Sequence, residues 1–396
     1  MRILYYDWDE FNGEDCRDAM RRLGHQVDTI KVKMEGYDLT SEVEQAFGEM
    51  LRSPLVYDLV FSFDFFPNIS QVCQKYGVPY VSWVFDCPHY TLDSRYVTNE
   101  VNRVFVFDKV LFNNMRKKGI DTVMYSPLGV NELRLSELCQ KLDSETDGKL
   151  FYEHEVCFLG NLYDNEYNFY DQVDSIPNLL KEYFDKVIWA QEMVFGRDYF
   201  TDESIVPSNK IEELLKYVGF EKTGKYDLDY ENVLRDILRK KVTVNERHNI
   251  LAEMGKRFDT VLYTMPGAKE IPGVSNLGIA SYTNKMPRVF HRSKINLNIS
   301  LRSILSGVPL RVMDVLAAGG FLLTSYTPEI EEYFTDGVDL AIARTPQEMI
   351  EKAAYYLEHD EERKLIAANG QEKVYECFSY TKLLGNVLDI NSKKTK

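Results

Sequence analysis

Pro309-Leu-Arg-Val-Met-Asp-Val-Leu-Ala-Ala-Gly-Gly-Phe-Leu-Leu-Thr324 is the stretch of sequence that decides the fold. The spacing of its apolar residues predicts a helix over about 308–318, and Phe321–Thr324 predicts a buried strand directly after it. Alternation of helices with such apolar strands is typical of α/β proteins with a parallel sheet covered on both faces.

The same alternation extends over most of the 396 residues. The predicted fold class is therefore α/β, with two Rossmann-like, doubly wound domains, and the pattern of residues 164–257 predicts a mainly helical segment in the second. The predicted organisation is an N-terminal domain at 1–128, a polar interdomain segment at 129–153, a C-terminal domain at 154–376 and a terminal helix or tail at 377–396.

Composition excludes several classes of protein. A hydrophobic content of 44% with 28% charged residues is that of a soluble globular protein. The net charge of −15 argues against a nucleic-acid duplex as partner. The sequence shows no signal peptide, no run long enough to span a membrane and no cysteine spacing typical of a metal site. We therefore expect a cytoplasmic protein with reduced thiols and no transmembrane segment.

A basic island lies inside this acidic chain. Residues 271–313 contain no Asp or Glu but hold six cations, which are Lys285, Arg288, Arg292, Lys294, Arg302 and Arg311. Such a local excess of positive charge favours an anionic ligand. The alternative is an ordinary basic surface matched by acids from elsewhere in the fold.

Residues beside the island suggest a nucleotide site. A helix that begins near Val308-Pro309 directs its amide dipole toward a bound diphosphate, to which Arg311 or a neighbouring cation such as Arg288 or Lys294 adds positive charge. Asp314, one turn further on, has apolar neighbours and therefore needs a partner, for which the hydroxyls of a ribose are candidates. The remaining candidate nucleotide contacts are glycines and strand-end residues of the C-terminal domain: Gly160, Asn161, Tyr263, Asn298, Gly319 and Gly320.

Three aspartates end apolar strands in the N-terminal domain: Asp64, Asp86 and Asp108. Ligands of open α/β sheets bind beyond these strand ends, where partial burial raises a carboxylate pKa toward the range of a general base. The alternative is capping of the helix that follows, which we favour for Asp64 and Asp108. For Asp86, with His89 three residues later, we favour a catalytic role.

Asp7-Trp8-Asp9 matches the DxD pattern that holds a metal and a nucleotide diphosphate in one class of transferase. Two aspartates at this spacing arise often by chance, as Asp227-Leu228-Asp229 shows in the same chain. A lone pair is no metal site without further ligands. No metal site is predicted.

Two regions together resemble a known family. Lys294–Ile299, Pro309–Thr324 and Pro328-Glu329 resemble the C-terminal, glycosyltransferase group 1-like domain of the CgeB-like (spore maturation protein-like) GT-B glycosyltransferases. Phe61–Pro67 and Tyr80–Pro88 resemble the DUF3880-type domain that precedes it in that group. The resemblance implies two domains facing across a cleft, a nucleotide-sugar donor held mainly by the second, and an acceptor that enters from the first. It also implies that no metal or other cofactor is needed, and that the last helix packs back on the N-terminal domain.

The chain departs from the family at two positions. Asp314 stands where the family has a ribose-binding Glu, and Ser306 stands where related retaining enzymes carry a second Glu. These departures leave the anomeric outcome open and make an inverting displacement, with Asp86 or His89 as base, a hypothesis.

The leading hypothesis is a metal-independent glycosyltransferase that uses a UDP-sugar and a protein or glycan acceptor. One alternative is a nucleotide-sugar epimerase or hydrolase of the same fold, which turns over the donor without an acceptor. Another is a catalytically silent subunit that binds a glycan or a partner enzyme.

Overall fold

The computed structural model describes residues 1–34, 36–52, 56–146, 151–166, 168–219 and 228–389. Its strands are β1 (Arg2–Tyr6), β2 (Gln26–Ile30), β3 (Leu59–Phe63), β4 (Tyr80–Trp83), β5 (Asn102–Val106), β6 (Val123–Tyr125), β7 (His154–Leu159), β8 (Thr260–Tyr263), β9 (Val274–Asn276), β10 (Ser293–Asn298), β11 (Leu322–Ser325) and β12 (Ala341–Ala343).

Its α-helices are α1 (Gly13–Arg22), α2 (Ser41–Leu51), α3 (Pro67–Tyr76), α4 (Lys109–Lys117), α5 (Glu132–Ser144), α6 (Asn178–Glu192), α7 (Ser208–Leu215), α8 (Tyr230–Gly255), α9 (Lys285–His291), α10 (Leu310–Ala317), α11 (Ile330–Tyr333), α12 (Pro346–Glu358), α13 (Asp360–Cys377) and α14 (Tyr380–Val387).

The strands form two parallel sheets, each of six strands within the described ranges. Their orders are β2-β1-β3-β4-β5-β6 and β12-β11-β10-β7-β8-β9. Every pair of neighbouring strands is parallel. The prediction of two parallel α/β domains is confirmed.

Within the described residues, the first compact unit comprises Met1–Glu132, Leu228 and Cys377–Asp389. All five residues of β3 are buried, because this central strand is covered on both faces. Local signals bound the helices around it. Thr40 accepts a hydrogen bond from the Val43 amide at the start of α2, and α3 ends at Gly77 in the left-handed conformation (φ 66°).

Within the described residues, the second unit comprises Leu133–Gly219 and Asp229–Glu376. Its main core lies between the sheet and the helices α8, α12 and α13, and includes Val156, Ile295, Leu323, Leu251 and Ile350. A separate apolar cluster joins α6, α7 and the first half of α8. The predicted mainly helical segment at 164–257 corresponds to these three helices.

The predicted interdomain segment at 129–153 takes a different form in its described part. Residues Glu132–Ser144 form α5, which buries Leu135, Cys139 and Leu142, and the chain from Leu133 onward belongs to the second unit. The polar surface of this helix resembles a linker in sequence, although every third or fourth residue is apolar and buried. Residues 147–150 lie outside the described part of the chain.

The described part of the terminal segment predicted at 377–396, which is Cys377–Asp389, clusters with the first unit. Helix α14 contacts α1, and the side-chain amide of Asn12 donates a hydrogen bond to the Tyr380 hydroxyl at 3.1 Å. The resemblance places this helix on the same domain. Residues 390–396 lie outside the described residues.

Candidate active site

The first sheet has a crevice at its carboxyl edge where strand order reverses. Strand β1 lies between β2 and β3, so the loops that leave β1 and β3 diverge. Trp8 follows β1 and Asp64 follows β3, and the Trp8 indole nitrogen donates to the Phe63 carbonyl at 3.1 Å. This is the position at which parallel α/β sheets bind ligands.

Asp64 lies at the bottom of this crevice and does not cap α3, so the capping role favoured for it is wrong. Helix α3 receives no side-chain cap, and its N-cap residue is Phe66. The Asp64 carboxylate accepts hydrogen bonds from the amides of Phe85 (3.1 Å) and Asp86 (3.3 Å), at the end of β4. Burial raises the pKa of Asp64 to about 7.

Asp86 and His89 stand beside Asp64. Desolvation by the cavity wall, and then the charge of Asp64, raise the pKa of Asp86 to about 6. Carboxylate oxygens of Asp64 and Asp86 lie within 4.8 Å of each other, and two carboxyl groups this close resist ionising together. Burial lowers the pKa of His89, whose Nε2 accepts from the Phe65 amide at 3.1 Å. The predicted pair of Asp86 and His89 is thus a group of three.

These three side chains line a cavity of about 470 Å³, a size that suits a small ligand. One ligand atom from each of the three lies within 4.8 Å of the others, which is a spacing that can hold a divalent ion. The same geometry serves proton transfer, because two adjacent carboxyl groups with raised pKa values separate into an acid and a base.

The other strand-end aspartates have structural partners. Asp108 caps α4 by accepting from the Leu111 amide at 2.9 Å, as predicted. Asp7 pairs with Arg17 at 2.9 Å, and Asp9 pairs with Lys31. The DxD carboxylates are thus neutralised by side chains of their own unit.

The second sheet reverses its order between β7 and β10. Arg247, from α8, connects the two strand ends there. Its guanidinium donates to the Ile299 carbonyl at 2.7 and 3.1 Å and to the Asn161 carbonyl. Burial lowers the pKa of Arg247, and the positive charge of Arg311 contributes in the same direction. The switch point therefore has a positive centre that no local pattern indicates, because a helix distant in sequence supplies it.

Asp314 and Arg311 lie in the first part of α10, which begins at this edge of the sheet. The Asp314 carboxylate accepts from Arg311 at 3.1 Å and from the Tyr282 hydroxyl at 3.2 Å. The predicted need for a partner is met within the protein. Arg134 adds a further cation, with its guanidinium 5.7 Å from the centre of the Tyr282 ring.

Most of the basic island lies elsewhere. Arg288 pairs with Glu145 (3.1 Å) and Glu153 (3.0 Å) on an open surface, which is the ordinary pairing that the sequence left as the alternative. Three other cations have comparable partners: Lys294 pairs with Glu155, Arg302 with Glu246, and Arg292 with the carbonyls of Leu142 and Phe151. Acids and carbonyls distant in sequence supply these partners.

Three more predicted contacts also have structural roles. Tyr263 ends β8 at the carboxyl edge, but its hydroxyl lies 3.2 Å from His154, at the amino end of β7. Gly319 (φ 69°) and Gly320 follow the end of α10 and precede β11, so they lie at the opposite edge of the sheet. A Cβ atom on Gly320 would lie 2.7 Å from the Phe290 carbonyl oxygen. These glycines permit the turn and close packing.

Gly160, Asn161 and Asn298 do lie at the carboxyl edge. Gly160 donates its amide to the Tyr263 carbonyl at 3.0 Å, and the Asn161 side chain accepts from the Tyr163 amide at 2.8 Å. Asn298 is buried and donates to the hydroxyls of Ser300 (3.0 Å) and Thr324 (2.9 Å). They shape the loops around Arg247.

The two parallel sheets and their crevices define the GT-B class of fold. Residues 246–389 match the family model described as glycosyl transferase-like, so the C-terminal part of the chain carries such a domain. No curated protein sequence matches the chain. Among residues the structure describes, no helix combines the length and the hydropathy that a membrane crossing needs.

Solved structures of glycosyltransferases share the fold over nearly the whole chain. A glycosyltransferase from Rickettsia africae is 10% identical, with a TM-score of 0.51 over 98% of this chain and 97% of that one. A DNA-modifying β-glucosyltransferase, solved with and without its substrate uridine diphosphoglucose, is 11% identical, with a TM-score of 0.51 over 98% and 100%. Sucrose-phosphate synthase from Thermosynechococcus elongatus is 9% identical, with a TM-score of 0.50 over 98% of both chains. At these identities the likeness establishes the fold.

Proposed function

We propose that this protein is a metal-independent glycosyltransferase that moves a sugar from a UDP-sugar to a hydroxyl of its acceptor. The observation that carries the proposal is the match of residues 246–389 to a glycosyl transferase-like domain, together with Asp314, Arg311 and Arg247 around the switch point of that unit. In this proposal the second unit holds the donor. Asp314 accepts hydrogen bonds from the ribose hydroxyls, and the two arginines face the diphosphate.

The first unit supplies the base in this proposal. Asp86 takes the proton of the acceptor hydroxyl as its oxygen attacks the anomeric carbon, and the bond from that carbon to the diphosphate breaks. Arg311 and Arg247 stabilise the negative charge that the departing UDP carries. Burial and the neighbouring Asp64 raise the pKa of Asp86 to about 6 while His89 lowers it, and a pKa near neutrality favours a general base.

UDP as the nucleotide is part of the proposal. It is supported by a shared fold with an enzyme solved with uridine diphosphoglucose. The localisation expected from the sequence, in the cytoplasm, stays a prediction.

A thermal-shift screen against nucleoside diphosphates tests the donor site. A ligand that binds only the folded protein raises its melting temperature by mass action. We expect UDP to raise it more than ADP, GDP or CDP at equal concentration. A flat response to all four would contradict the proposal, and a preference for another base would replace UDP as the nucleotide.

A further inference from the structure

A second chamber of about 530 Å³ lies next to the cavity of Asp64, Asp86 and His89. Both chambers belong to the first unit. The second is lined by the polar side chains of Asp7, Asp9, Lys31 and Lys33, and it has no role in the proposed transfer step.

The two chambers share one aromatic wall, made of Trp8, Tyr37 and Phe66, which line both of them. The Trp8 ring is held in place by its hydrogen bond to Phe63 and by a near-parallel contact with Phe85 (6.1 Å, 13°). Tyr37 stands beside Phe66, with ring centres 6.4 Å apart, and 44% of its surface is exposed.

Tyr37 also lies close to Asp64 and Asp86, since all three line the cavity of the proposed base. Burial, and then the negative charges of Asp64 and Asp86, raise the pKa of its phenol. A ligand packed on this wall therefore has one end at the proposed base and the other in the second chamber.

The chemistry of this surface matches a chain of sugar rings. The C–H face of a pyranose packs on the negative face of an aromatic ring, while its hydroxyls both donate and accept hydrogen bonds. The second chamber offers carboxylates to accept and ammonium groups to donate. Because Asp7 and Asp9 pair with Arg17 and Lys31, the chamber presents both signs of charge rather than a positive field for a phosphate or a membrane.

We propose that the chamber of Asp7, Asp9, Lys31 and Lys33 is an outer subsite for an oligosaccharide acceptor. The terminal ring of the acceptor lies at Asp86, the next ring packs on Trp8, Tyr37 and Phe66, and the chain continues into the outer subsite. The role as acceptor rests on the proposed transferase function, whereas the binding of a sugar chain does not.

Direct binding tests the subsite. The full-length protein is screened on an array of neutral hexose and N-acetylhexosamine oligosaccharides of one to six rings. Calorimetry then compares the best tetrasaccharide with its monosaccharide. We expect the tetrasaccharide to bind at least about tenfold more tightly, because only the longer chain reaches the outer subsite. Equal affinity for the two, or no binding on the array, would overturn the inference.

Variants of the wall locate the binding. We expect Tyr37→Ala to weaken tetrasaccharide binding about tenfold and Tyr37→Phe to keep it, since the ring and not the hydroxyl makes the contact. Trp189→Ala removes a 64% exposed indole from the second unit and is the matched control. Tetrasaccharide binding that Tyr37→Ala leaves intact would place the sugar elsewhere and refute the subsite.

A parallel UDP titration separates the two proposals. If the tetrasaccharide binds through Tyr37 but UDP does not bind, the proposed function fails and the oligosaccharide site stands. If UDP binds but sugar affinity is independent of chain length, the outer subsite fails and the proposed donor site stands.

Discussion

Two neighbouring carboxyl groups, Asp64 and Asp86, set the acid–base chemistry of the first unit. Asp64 is 2% exposed and accepts hydrogen bonds from two backbone amides, so its position is fixed. Its charge is one cause of the raised pKa of Asp86. Asp64 is therefore a positioning residue that acts on the base through electrostatics.

The pH profile of transfer reports this coupling. We expect kcat to rise with pH through about 6, as Asp86 loses its proton. Asp64 and Asp86 titrate as an interacting pair, and replacing Asp64 with Asn removes one of the two ionisable groups while it keeps an acceptor for the two amides. The rise of kcat with pH should therefore move to lower pH in Asp64→Asn. An unchanged midpoint, measured from pH 4.5 to 8.5, would show that Asp64 has no influence on the base.

The same carboxyl group affects stability. The pKa of Asp64 is raised from 3.8 to about 7 in the folded protein, so between these values the folded state binds more protons than the unfolded state. The free energy of unfolding therefore falls as pH rises through that window. Asp64→Asn removes this titrating group. We therefore expect the free energy of unfolding of the variant, relative to that of wild type, to rise by on the order of 1–3 kcal/mol from pH 4 to pH 8. Urea unfolding at the two pH values measures the change, and an equal difference at both would contradict it.

Arginines from one basic island separate into two kinds. Arg311 donates a hydrogen bond to Asp314, the residue proposed to bind the ribose, whereas Arg288 pairs with two surface acids. We expect Arg311→Ala to weaken UDP binding by about 1.5–3 kcal/mol, the usual contribution of a hydrogen bond to a charged group. Arg288→Ala is the matched control and should leave calorimetric UDP affinity unchanged. Loss of UDP binding in Arg288→Ala but not in Arg311→Ala would indicate that Arg288 contacts the diphosphate.

At the scale of the element, the two ends of α10 serve different purposes. Its amino end carries Arg311 and Asp314 at the carboxyl edge of the sheet, and its carboxyl end leads through Gly319 and Gly320 to the start of β11. A helix that returns the chain between parallel strands necessarily spans both edges of the sheet. The glycines are consequently distant from the ligand edge, although they are close to Asp314 in sequence.

Substitution of Gly320 separates packing from binding. The Cβ of Gly320→Ala would lie 2.7 Å from both Asn296 Nδ2 and the Phe290 oxygen. We expect it to destabilise the fold by about 1–3 kcal/mol while UDP affinity of the folded protein is kept. Gly385→Ala, where a Cβ meets nothing within 4 Å, is the control. A loss of UDP binding without loss of stability would indicate that Gly320 contributes to the nucleotide site.

Elements were predictable from the sequence where local patterns decide them. Buried strands such as β3 and capped helices such as α4 follow from apolar runs and strand-end aspartates. Helix α5 was missed because its polar surface resembles a linker. Arg247 was missed, and Asp64 was assigned to capping, because their roles depend on which strands become neighbours. Asp86 and His89 were placed correctly at the carboxyl edge, since strand ends alone determine that position.

At the scale of the whole molecule, metal independence is open to a direct test. The DxD aspartates are paired with Arg17 and Lys31, but Asp64, Asp86 and His89 have a spacing that can hold a divalent ion. We expect transfer to proceed at an unchanged rate after dialysis against EDTA. Loss of activity that Mg²⁺ or Mn²⁺ restores would identify the three residues as an ion site and contradict the proposal.

Acceptor-dependent release of UDP tests the central claim most directly. UDP is measured after incubation of the protein with a UDP-sugar, with and without an oligosaccharide that binds it, for wild type and Asp86→Asn. The account predicts release that depends on the oligosaccharide in wild type, and release at least about 100-fold slower in Asp86→Asn with UDP affinity preserved. Release at the same rate without the oligosaccharide would indicate a hydrolase. Wild-type turnover by Asp86→Asn would contradict the proposed base.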